Sequence, residues 1–353
     1  MIIENLLNIT NSILPFLVIL TVLVFVHELG HYLVAIYNNV KVEVFSIGFG
    51  KELFGFYDKK GTRWRFSLIP LGGYVKMHGD ADEASSGQLE DKSIDEKVSF
   101  YKKTVGQRSL ILFAGPAANF LFSFILLVFI NCYFGFQTTK PIISEVIEKS
   151  PAEQSDLRAN DIILSIQGQK VKNFEDIRRI VGGLKSKNVE LEIARDNKIL
   201  NKQLYTDNKL LGIKGGFVER KKLSFFDSVI SSYEQILFFS KATIVGIYEI
   251  FVGKRNADEL GGPIRIAELS SDFWQKGVYS TLWFMVLISL NLGLINLFPI
   301  PLLDGGHLLF NFFEALNGKP LEKKYMNFFH SFGFFILISL MIFATYNDIS
   351  RFL

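Results

Sequence analysis

The chain has 353 residues, of which 49% are hydrophobic, 14% aromatic and only 21% charged. So apolar a composition excludes a disordered chain, and 38 Lys+Arg against 35 Asp+Glu, a net charge of +3, is too balanced for a nucleic-acid binder. The single cysteine, Cys132, excludes an internal disulfide framework and a cysteine-rich zinc site.

The charge is unevenly distributed. Four apolar runs lie at about Ser12–Tyr37, Leu110–Phe136, Val278–Pro299 and Phe328–Tyr346, each near the ~20 residues that cross a hydrocarbon core. Buried helices of a large soluble protein can be as apolar, but four in one chain point to membrane spans. The first is not a cleaved signal peptide: Met1–Asn11 holds Glu4 and no Lys or Arg, whereas a signal peptide starts basic. Twelve Lys and Arg fall between residues 38 and 108, and Lys319, Lys323 and Lys324 between the last two spans. Basic loops stay in the cytoplasm, so both termini and the long 137–277 segment are expected outside.

The first span (1–37) holds His27, Glu28 and His31 as its only ionisable groups beyond residue 11. Residues i and i+4 share one helix face, so both imidazoles can reach one metal ion. Glu28 can hold a water against that metal as general base. Ionisable groups are costly inside a membrane and mark function by default.

Between residues 38 and 109 the pattern predicts a β-hairpin. Val42–Phe49 leads into Leu53–Tyr57, the turn Asp58-Lys59-Lys60-Gly61, and the run Arg63–Ile69. Gly79–Lys97, acidic and small, reads as a surface loop. The second span (110–136) is uncharged. From residue 137 to 217 come short β-prone runs at 142–147, 161–166 and 189–193, with an amphipathic helix at Asn173–Leu184. The segment 218–277 carries Asp227, Glu234, Lys241 and Glu249 at helical spacing. That predicts an amphipathic helix on the outer surface rather than a fifth span.

The third span (278–306) ends in Asn296-Leu297-Phe298-Pro299-Ile300-Pro301-Leu302-Leu303-Asp304-Gly305-Gly306. Two prolines break the helix, and irregular backbone at membrane depth is tolerated where it is buried in protein or lines a cavity. A catalytic zinc site needs a third protein ligand. Asp304, at the cytoplasmic end of this span, can meet His31 at one depth. It can equally be a turn aspartate, and His307, His78 and His330 compete as ligands. A short connection and the fourth span (307–353) complete the chain.

Three separate motifs in three spans carry a resemblance: His27-Glu28-Leu29-Gly30-His31, Gly115-Pro116-Ala117-Ala118-Asn119-Phe120, and the Asn296 to Gly305 stretch. Together they resemble the site-2 proteases, closest to the bacterial RseP-type regulated intramembrane zinc metalloproteases, over nearly the whole chain. The resemblance implies a polytopic α-helical membrane protein with four transmembrane helices, a cytoplasmic-side re-entrant β-hairpin and one extracytoplasmic PDZ-like domain. It implies one Zn2+ on His27, His31 and Asp304, Glu28 as catalytic base, and Asn296 with Pro299 as substrate-binding residues. The PDZ-like stretch, Ser150–Ile163, lacks the usual glycines near Ser155 and Asn160. The expected setting is the bacterial inner membrane, and the expected partners are the lipid bilayer and single-span membrane protein substrates such as anti-sigma factors or remnant signal peptides. The hairpin edge would hold the substrate extended by strand addition. Two other functions fit parts of the sequence. A non-catalytic PDZ-containing adaptor would need no Glu28, and a divalent-metal transporter would be expected to show internal repeats, which are not seen.

Overall fold

A computed structural model describes residues 2–79, 96–184, 188–196, 198–205, 211–215, 218–256, 261–320 and 322–351. The predicted acidic loop falls almost wholly outside them. The chain divides into two compact units, Met1–Phe129 with Val229–Leu353, and Ile130–Ser228.

The first unit is built on helices. Among the described residues, four are long and apolar enough to cross a membrane: α1 (Ile2–Tyr37, within it Ile13–Tyr37), α2 (Val105–Tyr133), α7 (Val278–Asn296) and α9 (Lys323–Ser350). A protein with several such helices is a multi-pass membrane protein. The exposed faces of these helices are apolar, as at Leu121 and Ile125 on α2 and Phe334 and Phe335 on α9, which suits contact with lipid rather than water.

After α1 the chain forms two long bent strands, β1 (Val42–Tyr57) and β2 (Arg63–Met77). The turn between them is fixed by Asp58, which accepts hydrogen bonds from the Lys60 and Thr62 amides, Trp64 Nε1 and the Tyr32 hydroxyl on α1. Glu52–Tyr57 pairs with Arg63–Ser67, as the predicted hairpin requires. The register breaks near Gly48 and Gly50, and Val42–Ile47 then pairs with Gly73–Met77 while also lying beside Arg63–Phe66. The predicted single hairpin is therefore folded back on itself into four short strands, with 73–77 and 52–57 at the edges. Phe45 is buried among Phe25, Tyr32 and Trp64 and anchors the sheet to α1.

Two helices were not foreseen. α6 (Pro263–Gln275) packs Ile266, Leu269 and Phe273 against Ile19 and Leu23 of α1 and Phe284 of α7. Its first turn is capped from a distance: the buried Asp348 carboxylate of α9 accepts from the Gly262 and Arg265 amides at 2.9 and 3.0 Å, satisfying donors that a helix start leaves open. α8 (Asp304–Asn317) follows the broken end of α7. Arg108 of α2 holds its far end through Glu314 at 2.6 Å, and Asn311 Nδ2 donates to Ser109 at 3.2 Å. The predicted amphipathic helix is α5 (Phe225–Phe251). It lies along α7, with Phe239 edge-on to Trp283 and the Thr243 hydroxyl donating to Asn291.

The second unit is a small α/β body. A sheet in the order β6 (Gln169–Lys170), β5 (Ile162–Ile166), β7 (Asn188–Arg195), β8 (Lys198–Tyr205) is antiparallel, and β4 (Ile143–Val146) pairs with β9 (Ile213–Gly215). A further ribbon joins β3 (Phe136–Thr139) to β10 (Val218–Lys221). Ile163, Ile166, Val189, Leu191 and Ile193 form the core with Ile177, Ile180 and Val181 of α4 (Phe174–Gly183). Asn173 caps α4, its Oδ1 accepting from the Asp176 amide at 2.8 Å, within one residue of the predicted start. A single-turn helix, α3 (Pro151–Gln154), is capped by Ser150. The missing glycines are explained here: Asp156 and Asn160 take φ of 54° and 71°, the left-handed region that Asn and Asp tolerate best after glycine.

Candidate metal centre

α1 places His27 and His31 one turn apart on its buried face, 8% and 7% exposed. Their Nε2 atoms face one another at 3.2 Å. Two imidazole nitrogens so close converge on a shared partner. That partner is Asp304. Its Oδ2 is 3.2 Å from His27 Nε2 and its Oδ1 is 3.5 Å from His31 Nε2. One ligand atom from each of the three lies within 4.8 Å of the others. Two imidazole nitrogens and one carboxylate suit a divalent cation, and zinc in a catalytic site takes such a set with one position open.

The backbone that delivers Asp304 is unusual. α7 stops at Asn296, where Pro299 and Pro301 lie ahead. The chain then crosses a loop in which Leu302 has φ 83°, a left-handed conformation rare for leucine. α8 begins at Asp304, whose carboxylate sits at the positive end of the helix. Gly305 and Gly306 are required by contact: a Cβ at Gly305 would come 2.3 Å from the Leu297 and Phe298 carbonyls, and at Gly306 2.4 Å from that of Ile300. The first turn of α8 is thus folded tightly onto the loop.

Asn296, on the last turn of α7, places Nδ2 3.3 Å from His27 Nε2, on the side of the ring that faces Asp304. Pro299 is exposed in the loop. Glu28 is half-buried beside β2: a Cβ on Gly73 would be 3.2 Å from Glu28 Cγ, and the Val75 backbone hydrogen-bonds its carboxylate. The rival ligands lie elsewhere. His78 bonds Glu43 at 2.8 Å, and His307 and His330 face each other across α8 and α9 with ring centroids 5.4 Å apart. Asn119 of α2, which sequence reasoning gave no role, approaches His27 Nδ1 at 3.1 Å. Its signal was available: a polar side chain within the Gly115 to Phe120 motif of an uncharged span.

Comparison with known proteins gives a consistent result. The sequence pattern of peptidase family M50 matches residues 15–340. A protein of Rickettsia conorii is 40% identical over 358 residues, covering 96% of this chain and 99% of its own. One of Agrobacterium fabrum is 37% identical over 362 residues, covering 97% and 96%, and one of Campylobacter jejuni 37% over 347, covering 94% and 92%. All three carry the name putative zinc metalloprotease.

Proposed function

The chain belongs to peptidase family M50, and from that membership and the His27–His31–Asp304 cluster we propose an intramembrane endopeptidase that cuts within the transmembrane segments of single-span membrane proteins. It is a zinc metalloprotease of the membrane, as family and relatives agree. The observation that carries the reading is the convergence of His27 Nε2, His31 Nε2 and the Asp304 carboxylate beside Glu28. We assign the three as ligands. Zinc, when bound, polarises the scissile carbonyl and makes a water nucleophilic near neutral pH. Glu28 accepts that water's proton and returns it to the leaving amine.

A transmembrane helix ties its carbonyls into hydrogen bonds, so the substrate must unwind locally before its carbonyl can be attacked. The edge at 73–77, which pairs with no further strand among the described residues, runs past Glu28, whose carboxylate meets Val75, and can take an extended segment by strand addition. Asn296 then holds the substrate backbone, with Pro299 beside it in the loop. Leu53, Phe54, Phe56, Leu68, Ile69 and Leu71 are exposed on the distal part of the sheet, which supports a re-entrant sheet dipping into the bilayer from the cytoplasmic side. We read the second unit as a PDZ-like domain, and the distribution of basic residues supports an extracytoplasmic side for it and for both termini. The bacterial inner membrane is the corresponding location, and anti-sigma factors or remnant signal peptides are the substrate classes of the type. A peptidase family and an intact Glu28 disfavour the adaptor and transporter functions.

The test is incubation of the purified full chain with a tagged single-span substrate in detergent, with and without a zinc chelator. Cleavage within the apolar segment that stops with chelator and returns with zinc is expected. Cleavage that survives zinc removal would sink the proposal.

A further inference from the structure

The Asn119 region of α2 lies along the two imidazoles of α1. His31 Nδ1 donates to the Ile111 carbonyl at 2.8 Å, so that in the neutral ring Nε2 is the unprotonated nitrogen, and it faces Asp304. Two turns along α2, the Asn119 amide meets His27 Nδ1 at 3.1 Å through the atom placed as Nδ2. Between them Gly115 makes room for the ring: a Cβ there would be 2.2 Å from His31 Nε2. One face of one helix therefore addresses the outer nitrogen of both histidines.

For His31 a backbone carbonyl, which can only accept, decides the tautomer. For His27 the decision falls to a carboxamide, which can do either. Asn119 is fully buried, and its Oδ1 has no hydrogen-bond partner among the described residues. Its backbone carbonyl is pinned separately, accepting from Ser123 at 2.9 Å and from Ser289 of α7 at 3.0 Å. Half a rotation of the amide exchanges Oδ1 and Nδ2 without changing its shape. With Nδ2 towards His27, the imidazole proton sits on Nε2 and points into the cluster. With Oδ1 towards it, Nδ1–H donates outward and Nε2 presents its lone pair.

We propose that Asn119 is a positioning residue of the metal centre: its Oδ1 accepts the Nδ1–H of His27, fixing tautomer and ring plane so that Nε2 faces the cation. The assignment rests on the ligand set proposed above. Histidine ligands elsewhere are held by such an acceptor, and its loss typically weakens metal binding 10- to 100-fold.

The test is zinc affinity of the full chain in detergent, by competition with a chromophoric chelator, together with the visible spectrum of the Co2+-substituted protein. Asn119→Leu keeps the volume and removes the acceptor; zinc affinity should fall about 10- to 100-fold and the Co2+ bands should shift. Asn119→Asp keeps an acceptor and should stay within about threefold of the wild type. Leu121→Ala, on the exposed face of α2, should leave affinity unchanged. Melting of the metal-free proteins reports folding, and Asn119→Ala replaces the leucine variant should that one fail to fold. Wild-type affinity in the leucine variant, or equal losses in the leucine and aspartate variants, would overturn the role of Asn119 alone. A wild-type chain that binds no stoichiometric zinc would overturn the ligand set and this role with it.

Discussion

Glu28 and Asp304 are both carboxylates at one site, and their surroundings give them different work. Asp304 lies against both imidazole Nε2 atoms at the start of a helix, where its charge is held for a cation. Glu28 is the next residue after His27 but is turned towards β2. Glu28→Gln should keep one zinc per chain and lower kcat by about 10²–10⁴, measured on a single-span substrate with the metal content checked in parallel. Asp304→Asn should act differently, lowering zinc affinity and kcat together, because it removes a ligand charge rather than a base. Chelator titration of that variant separates the two roles; unchanged zinc affinity would remove Asp304 from the ligand set. The His-Glu-x-x-His pattern made the α1 half of this site readable from sequence, since helical spacing alone puts residues 27 and 31 together. Asp304, nearly 280 positions away, is by its own residues only a turn aspartate; the resemblance names it as a ligand, and the tertiary contact brings it to the two imidazoles. Asn119 stands in the Gly115 to Phe120 motif, but nothing in α2 says which neighbour its amide meets.

At the scale of elements, α8 holds Asp304 in place. Its first turn is wedged on the 297–301 backbone and its last is tied to α2 by Arg108 and Glu314, whose side chains are 9% and 18% exposed. Breaking one partner of a buried pair leaves a charge without compensation, which costs about 3–5 kcal/mol. Glu314→Ala should therefore lower the melting temperature in detergent and weaken zinc binding as the helix loosens. The double change Arg108→Met, Glu314→Met should recover most of the stability, since no charge is stranded. If the single variant melts as the wild type does, α8 is held by its first turn alone. Neither α8 nor α6 was expected from sequence. Both are short, and although Pro263 is a favoured first residue of a helix, the cap on α6 comes from Asp348, 86 residues away, where no local signal reaches. The hairpin was read correctly at its turn, where Asp58 and Gly61 act locally. Its second fold, at the register break, depends on pairing between 42–47 and 73–77 and had no local mark.

For the whole molecule, four spans and a separate second unit imply stabilities that respond to different conditions. In the second unit, hydrogen bonds from Lys202, Arg158 and Arg195 hold the Asp156 carboxyl below the usual aspartate range. A depressed folded-state pKa stabilises the fold fully above the unfolded value, about 3.9, and the gain is lost as pH falls towards the folded value. Protection of the β7 and β8 amides of the intact chain, relative to their intrinsic exchange rates at each pH, should fall below about pH 4. Asn at position 156 tolerates the same left-handed backbone, so Asp156→Asn should flatten that dependence without breaking the turn. An unaltered pH profile in that variant would assign the acid sensitivity to another group.

The sequence by itself determined the class of the protein. Four apolar runs of membrane length, two histidines one turn apart and a glutamate between them are local facts, because hydrophobic burial and helix periodicity act on neighbours along the chain. Tertiary structure decided what local rules do not reach: that Asp304 and not His78, His307 or His330 completes the cluster, that the hairpin doubles back to bring its edge beside Glu28, and that α2 addresses both imidazoles. Each joins residues far apart in the chain, and their approach is set by helix packing at small residues, by proline breaks and by buried polar pairs, whose partners the sequence does not name.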